Sequence, residues 1–150
     1  DYFMGVGGTL LGASLSNREA IGIDLSKDFV SLYKDANKEL KLKEQTTFVG
    51  DSIEILNDPK KLKKLFKDKR ASLILIDPPY GNMMSKKKTG EAVKNNGDTS
   101  ATPYTNRKTD LGNMDLRQFY SVFQKTKSYP HICAKNNLHY FIFHKKQNKK

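Results

Sequence analysis

The sequence predicts an α/β domain: a mostly parallel sheet with helices on both faces. Three observations predict it. Short apolar runs alternate with amphipathic stretches along the whole chain, the pattern of strands joined by crossover helices. Three of those runs end in, or just before, an acid: Asp24, Asp51 and Asp77. The last of the three, Leu73-Ile74-Leu75-Ile76, is continuously apolar, as a strand buried on both sides is. It runs directly into Asp77-Pro78-Pro79-Tyr80.

The elements follow in order. Gly5, Gly7 and Gly8 form a glycine turn that feeds a helix starting near Thr9. Ala20 to Asp24 reads as a short strand ending in an acid. Ser26 is a good N-cap for the next helix, with Asp28 in its first turn. Phe29, Leu32, Tyr33, Ala36 and Leu40 are its expected apolar stripe. Thr46 to Val49 is the second strand, followed by Gly50-Asp51-Ser52. Asp58-Pro59 reads as an N-cap with proline at the first helical position. Leu62, Leu65 and Phe66 form the expected inner face of this helix, and Lys60, Lys61, Lys63, Lys64 and Lys67 its solvated side. Leu73 to Ile76 is the third strand. Gly81 to Asp110 is polar and without periodicity, and a loop of that length in a compact domain is usually functional or disordered. Asp115 to Lys127 is a helix with Phe119, Val122 and Phe123 inside. Leu138 to Phe143 is the last strand, and Gln147 to Lys150 a basic tail.

Composition bounds the function. At 150 residues the chain is one domain at most, with enough length for a real core. No run approaches the roughly 20 apolar residues of a membrane helix, and no signal peptide is visible. A lone Cys133 excludes a disulfide framework and favours a reducing compartment. His131, Cys133, His139 and His144 match no common zinc spacing, so no metal is expected. The formal net charge is +11, which favours polyanionic partners. Nearly all of it is lysine, though, with Arg18, Arg70, Arg107 and Arg117 the arginines. Charge alone is therefore a weak signal.

In open α/β sheets ligands bind beyond the carboxyl ends of the strands. The three acids and the glycine turn belong to that edge. Asp24 follows the turn by roughly 20 residues, the separation at which an acid meets ribose hydroxyls in nucleotide folds. Leu10 stands where the dinucleotide fingerprint needs its third glycine, and no Gly-Lys-Ser/Thr follows the turn, so neither NAD nor a P-loop fits. At Asp77 to Tyr80 two prolines remove backbone donors and stiffen the exit from the strand. A carboxylate and unclaimed carbonyls then sit beside an aromatic ring. That suits a planar substrate carrying an amino group, such as a nucleobase.

These residues resemble the S-adenosylmethionine-dependent amino-methyltransferases of DNA, which make N6-methyladenine or N4-methylcytosine. Asp1-Tyr2-Phe3-Met4-Gly5-Val6-Gly7-Gly8-Thr9 resembles the first motif of that family, with Tyr2 in place of its usual proline. Gly22-Ile23-Asp24 resembles the second motif, Gly50-Asp51-Ser52 the third, and Asp77-Pro78-Pro79-Tyr80 the catalytic fourth. The resemblance implies a Rossmann-like class I methyltransferase fold, here truncated, with the first strand incomplete and the last strands missing. It implies a cofactor half over 1–58 and a catalytic half over 59–150, with no target-recognition domain visible.

The same resemblance implies S-adenosylmethionine as cofactor, with Asp1, Phe3, Gly5, Gly7, Thr9, Asp24, Leu25, Asp51 and Ser52 around it. Asp77, Pro78, Pro79 and Tyr80 become the catalytic set. Asp77 and the Pro78 carbonyl accept hydrogen bonds from the target amino group, and Tyr80 stacks on the base. The expected partner is duplex DNA with a flipped base, adenine N6 favoured over cytosine N4. Lys86, Lys87, Lys88, Arg107 and Lys108 are the expected nucleic-acid contacts. A restriction endonuclease partner is compatible with this reading, the implied setting is cytoplasmic, of bacterial or phage type, and a membrane partner is not expected. The alternatives are an RNA guanine-N2 methyltransferase and a basic nucleic-acid-binding module without turnover.

Overall fold

The computed structural model describes residues 1–67, 70–79, 105–127 and 134–142. The chain divides into two compact units, Asp1–Pro78 with Lys125–Lys150, and Pro79–Gln124. The element order is α1 (Gly8–Leu15), β1 (Ile21–Asp24), α2 (Lys27–Glu39), β2 (Thr46–Val49), α3 (Ser52–Asn57), α4 (Pro59–Phe66) and β3 (Ala71–Ile76). A 3-10 turn (Leu111–Asn113), α5 (Leu116–Lys127) and β4 (Ala134–Ile142) complete it. Strands and helices alternate as the sequence predicts. Among the described residues no helix is long and apolar enough to cross a membrane.

The described strands are all paired in parallel, but they form two two-stranded sheets, not one. β1 pairs with β2 from Ile21↔Thr46 to Asp24↔Val49. β3 pairs with β4 from Leu73↔His139 to Ile76↔Ile142, after an irregularity between Ala71 and Leu73. On β1, backbone direction alternates. Ala20 and Asp24 turn toward β2, accepting from Thr46 N (3.2 Å) and Gly50 N (2.8 Å). Ile21 and Ile23 turn the other way, toward residues 1–4. There the Asp1 amine donates to Ile21 O at 2.8 Å, Ile23 N to Asp1 O at 2.9 Å, and Met4 N to Ile23 O at 3.0 Å. Residues 1–4 thus run parallel to β1, with Asp1 N in the place of a ladder donor. A cavity of about 1240 Å³ lies between Ile21 and Ile23 on one side and Leu73, Ile74 and Leu75 on the other.

The helices begin where side chains accept the first free amides. Ser26 Oγ accepts from Phe29 N at 3.3 Å. Asp58 Oδ1 accepts from Lys60 N at 2.9 Å and Lys61 N at 3.2 Å, ahead of Pro59. Asp115 and Gln118 form a reciprocal capping box at α5: Gln118 N donates to Asp115 Oδ1 at 2.9 Å, and Asp115 N to Gln118 Oε1 at 3.3 Å. α3 was not expected; Asp51 caps it through Ile53 N at 2.8 Å. On α4 the lysines are exposed and Leu65 is buried, as predicted.

The stripe of α2 departs from expectation. Val30, Tyr33 and Asn37 are its buried residues, whereas Leu32 and Leu40 are more than half exposed. The helix is turned so that Asn37 can fasten the chain as it leaves: its Nδ2 donates to Leu42 O at 2.9 Å, and Leu42 N to Asn37 O at 3.1 Å. Tyr33 then joins Met4, Leu10 and Val30 in the core, with Leu11 and Ala20 against it. β1 passes close to this cluster at Gly22, where a Cβ would lie 2.6 Å from Met4 Sδ and 2.9 Å from two Leu10 methyls.

A polar node under the core ties the strand entries together. Tyr33 is fully buried, and its hydroxyl accepts from Gln45 N at 2.8 Å. The Gln45 amide accepts from Ala20 N at 2.7 Å and donates to Ser14 Oγ at 2.9 Å and Arg18 O at 3.1 Å. Replacing one partner of a buried bond leaves the other without water or protein to satisfy it. Tyr33→Phe keeps the ring and strands the Gln45 amide, so it should cost about 1–3 kcal/mol. A urea midpoint equal to that of the unaltered protein would refute this account of the node.

Candidate functional site

The carboxyl edge of β1 and β2 gathers the glycine turn and two of the three acids. Gly5 has φ 52 and Gly7 φ 85, the left-handed region that glycine enters without strain. Asp24, at the end of β1, holds this turn in place. Its Oδ2 accepts from Gly5 N at 2.8 Å and its Oδ1 from Ser26 N at 2.9 Å. One carboxylate therefore joins the turn to the start of α2. Through its carbonyl the same residue receives Gly50 N at 2.8 Å, which brings the Gly50-Asp51 bend to the same edge.

The turn is closed by Gly7 N donating to Met4 O at 2.8 Å, and Gly7 O accepts from Leu10 N and Leu11 N as α1 begins. Gly7 has no side chain to cap α1, so the first two amides, Gly8 N and Thr9 N, are left for solvent or an anionic ligand. Gly5 has open space where a Cβ would point, and Val6 is 56 % exposed. Phe3, Thr9 and Leu25 are half-buried around this turn. Asp1 folds back on the turn's approach through Oδ1, which accepts from Phe3 N at 3.0 Å.

Ser52 is buried, and its hydroxyl donates to Tyr2 O, pinning the segment before the turn to the start of α3.

Asp77 directly follows β3, exposed, with Pro78 buried and Pro79 half-buried behind it. It lies in the second parallel pair, at the carboxyl end of its strand like Asp24 at the end of β1. Arg107 and Lys108 are exposed in the second unit, near the buried Asp110. Tyr80, Lys86, Lys87 and Lys88 lie outside the described residues, as do His131, Cys133, His144 and the side chain of His139. The cavity between β1 and β3 is lined by Arg18, Glu19, Lys43 and Arg70, at the amino ends of the strands, and by Asp1 and Thr9 of the expected cofactor set. It excludes Asp24, Asp51 and Asp77. Because ligands of such sheets bind at the opposite edge, this cavity is not the candidate site despite its size.

Sequence reasoning missed Gln45, Ser14 and Asp110, whose importance lies in tertiary bonds. The Asp115-x-x-Gln118 box was legible as a capping signature and was passed over.

The site thus defines an α/β chain with a rigid glycine turn and acids at the carboxyl ends of parallel strands. No family model matches it. It is similar to the tRNA (guanine(10)-N2)-dimethyltransferase of Pyrococcus abyssi (strain GE5 / Orsay), with 36% identity over 81 residues. The match covers 54% of this chain and 22% of that protein, so the chain spans about a fifth of its relative's length.

Proposed function

We propose that this chain is part of an S-adenosylmethionine-dependent methyltransferase whose acceptor is the exocyclic N2 amino group of guanine in RNA. The observation that carries this is the similarity to a tRNA guanine-N2 dimethyltransferase. It favours the RNA alternative over the DNA adenine reading, which the Asp-Pro-Pro-Tyr motif alone had put first.

The residues present suit the cofactor. The open space over Gly5 and the uncapped start of α1 leave room and amide donors for its methionine end. Asp24, oriented by Gly5 N and Ser26 N, is the acceptor for its ribose hydroxyls. Asp51 stands at the next bend for its adenine. Bound there, S-adenosylmethionine supplies an activated methyl group on a sulfonium.

The chain's own part is to prepare the acceptor. A guanine amino nitrogen is a poor nucleophile because its lone pair is delocalised into the ring. The Asp77 carboxylate and the Pro78 carbonyl accept its two N–H bonds, which favours a pyramidal nitrogen with a localised pair. Tyr80 stacks on the base and fixes its plane. Catalysis is then positioning and electrostatics, without a covalent enzyme intermediate.

The test is to incubate the protein with methyl-labelled S-adenosylmethionine and either a tRNA transcript or duplex DNA, then digest to nucleosides. Label recovered as N2-methylguanosine is the expected result. Label only in DNA, as N6-methyladenine or N4-methylcytosine, would restore the DNA reading, and none in either would favour a binding module.

A further inference from the structure

We propose that residues 105–114 form a rigid anion-reading finger: Asp110 is its positioning residue, and Arg107 and Lys108 meet the phosphodiester backbone of a folded RNA. The proposal rests on the polynucleotide substrate proposed above, and it concerns binding, not methyl transfer.

The construction is unusual for a surface loop. Asp110 is 5% exposed. Its Oδ2 accepts from Thr105 N at 3.1 Å and from Thr105 Oγ1 at 2.8 Å, and its Oδ1 from Gly112 N at 2.9 Å. A carboxylate is withdrawn from water at high cost unless such donors replace it. Among the described residues all the donors belong to the loop itself, so the result is a ring around one buried charge.

The ring holds Arg107 by its backbone from both sides. Arg107 N donates to Thr105 Oγ1 at 3.2 Å. Arg107 O accepts from Asp110 N at 3.1 Å and from Asn113 Nδ2 at 3.2 Å. Asn113 Nδ2 also reaches Thr105 O at 2.7 Å. The two cations follow one another on this frame, both exposed. Among the described residues neither makes an ion pair. Adjacent unpaired cations repel, and a loop that only reverses the chain has no need of them. An anion between them relieves that repulsion. A guanidinium fork matches phosphate oxygens in two-point geometry, and the neighbouring ammonium adds a point charge. Because the frame is already ordered, little backbone entropy is lost on contact.

The experiment measures binding of a tRNA transcript, without methyl donor, by fluorescence anisotropy between 50 and 200 mM salt. The double variant Arg107→Ala/Lys108→Ala should lower the slope of log K against log salt by about 1–2 and weaken binding roughly tenfold at the lower salt. Asp110→Asn separates the finger from net charge. It makes the protein more positive, so a charge-only account expects tighter binding. The finger account expects weaker binding and a shallower slope, because an amide cannot accept from Thr105 and Gly112 on both sides. Thr105→Val, which removes the hydroxyl's bonds to Asp110 Oδ2 and Arg107 N without changing charge, should also weaken binding and flatten the slope, and thermal melts of both variants report whether the fold persists. Unchanged salt slopes in the double variant, with RNA still bound, would overturn the finger and leave the proposed methyl transfer standing. Binding of duplex DNA but not RNA by the unaltered protein would instead overturn the RNA assignment.

Discussion

Gly7→Ala is expected to destabilise the protein by about 2–5 kcal/mol, from backbone strain and overpacking together. Two separate observations require glycine there. Its φ of 85 lies in the region where a Cβ crowds the backbone. A Cβ at that position would also lie 2.4 Å from Cδ2 of Tyr33, with Cγ and Cβ of the same residue at 2.8 and 2.9 Å. Tyr33 cannot yield, because it is fully buried and its hydroxyl is bonded to Gln45 N. The neighbouring Gly8 makes the contrast. It is exposed at the first position of α1, with open space around its missing Cβ. Gly8→Ala should be neutral, or stabilise by up to about 1 kcal/mol through helix propensity. Denaturant titration of the two variants checks both. A Gly7→Ala protein as stable as the parent would mean that the turn and α2 can separate at little cost.

Asp77→Asn should lower turnover on RNA by about 10²–10³-fold, the usual effect of removing one preorganised partner from a reacting group. The change is isosteric, but it removes the negative charge and leaves one acceptor oxygen where the carboxylate had two, so the bond to the substrate N–H is weaker. Asp77 is exposed at the end of β3, so the melting temperature should hardly move, as for most surface substitutions. Affinity for S-adenosylmethionine should also be kept, since the turn and Asp24 belong to other strands. Single-turnover rates, equilibrium dialysis and a thermal melt separate the three quantities. A variant of full activity would remove the proposed mechanism, whereas one that loses cofactor binding in parallel would assign Asp77 to the cofactor.

The strands were legible because their apolar runs are short and end in punctuation. Asp24, Gly50 and the Pro78-Pro79 pair each stop a strand within a residue or two of the observed end. Caps at Ser26 and Asp58 were legible for the same local reason. The face of α2 was not. Period alone favoured Leu32 and Leu40, and only the return of the chain to Asn37 explains why the helix is rotated. Gln45 was invisible, since nothing beside it in sequence signals that its amide will be shared among Ala20, Ser14 and Arg18. At the candidate site the residue types were readable at every position of the turn and the acids. Their division of labour was not, because the bond from Ser52 to Tyr2 spans 50 residues. The two sheets also escaped prediction: alternation of strands and helices fixes direction and leaves pairing across β1 and β3 open.

Tyr33 touches Gly7 with its ring and Gln45 with its hydroxyl. These two contacts make the glycine turn and the entry of β2 open together or not at all. Binding loops are commonly drawn from the parts of a protein that unfold locally at low cost. This turn is tied instead, through Tyr33, to the buried core of its unit. A ligand arriving there meets a surface whose ordering was completed when the chain folded. Its affinity is then set by fit and desolvation, with almost no conformational entropy left to lose.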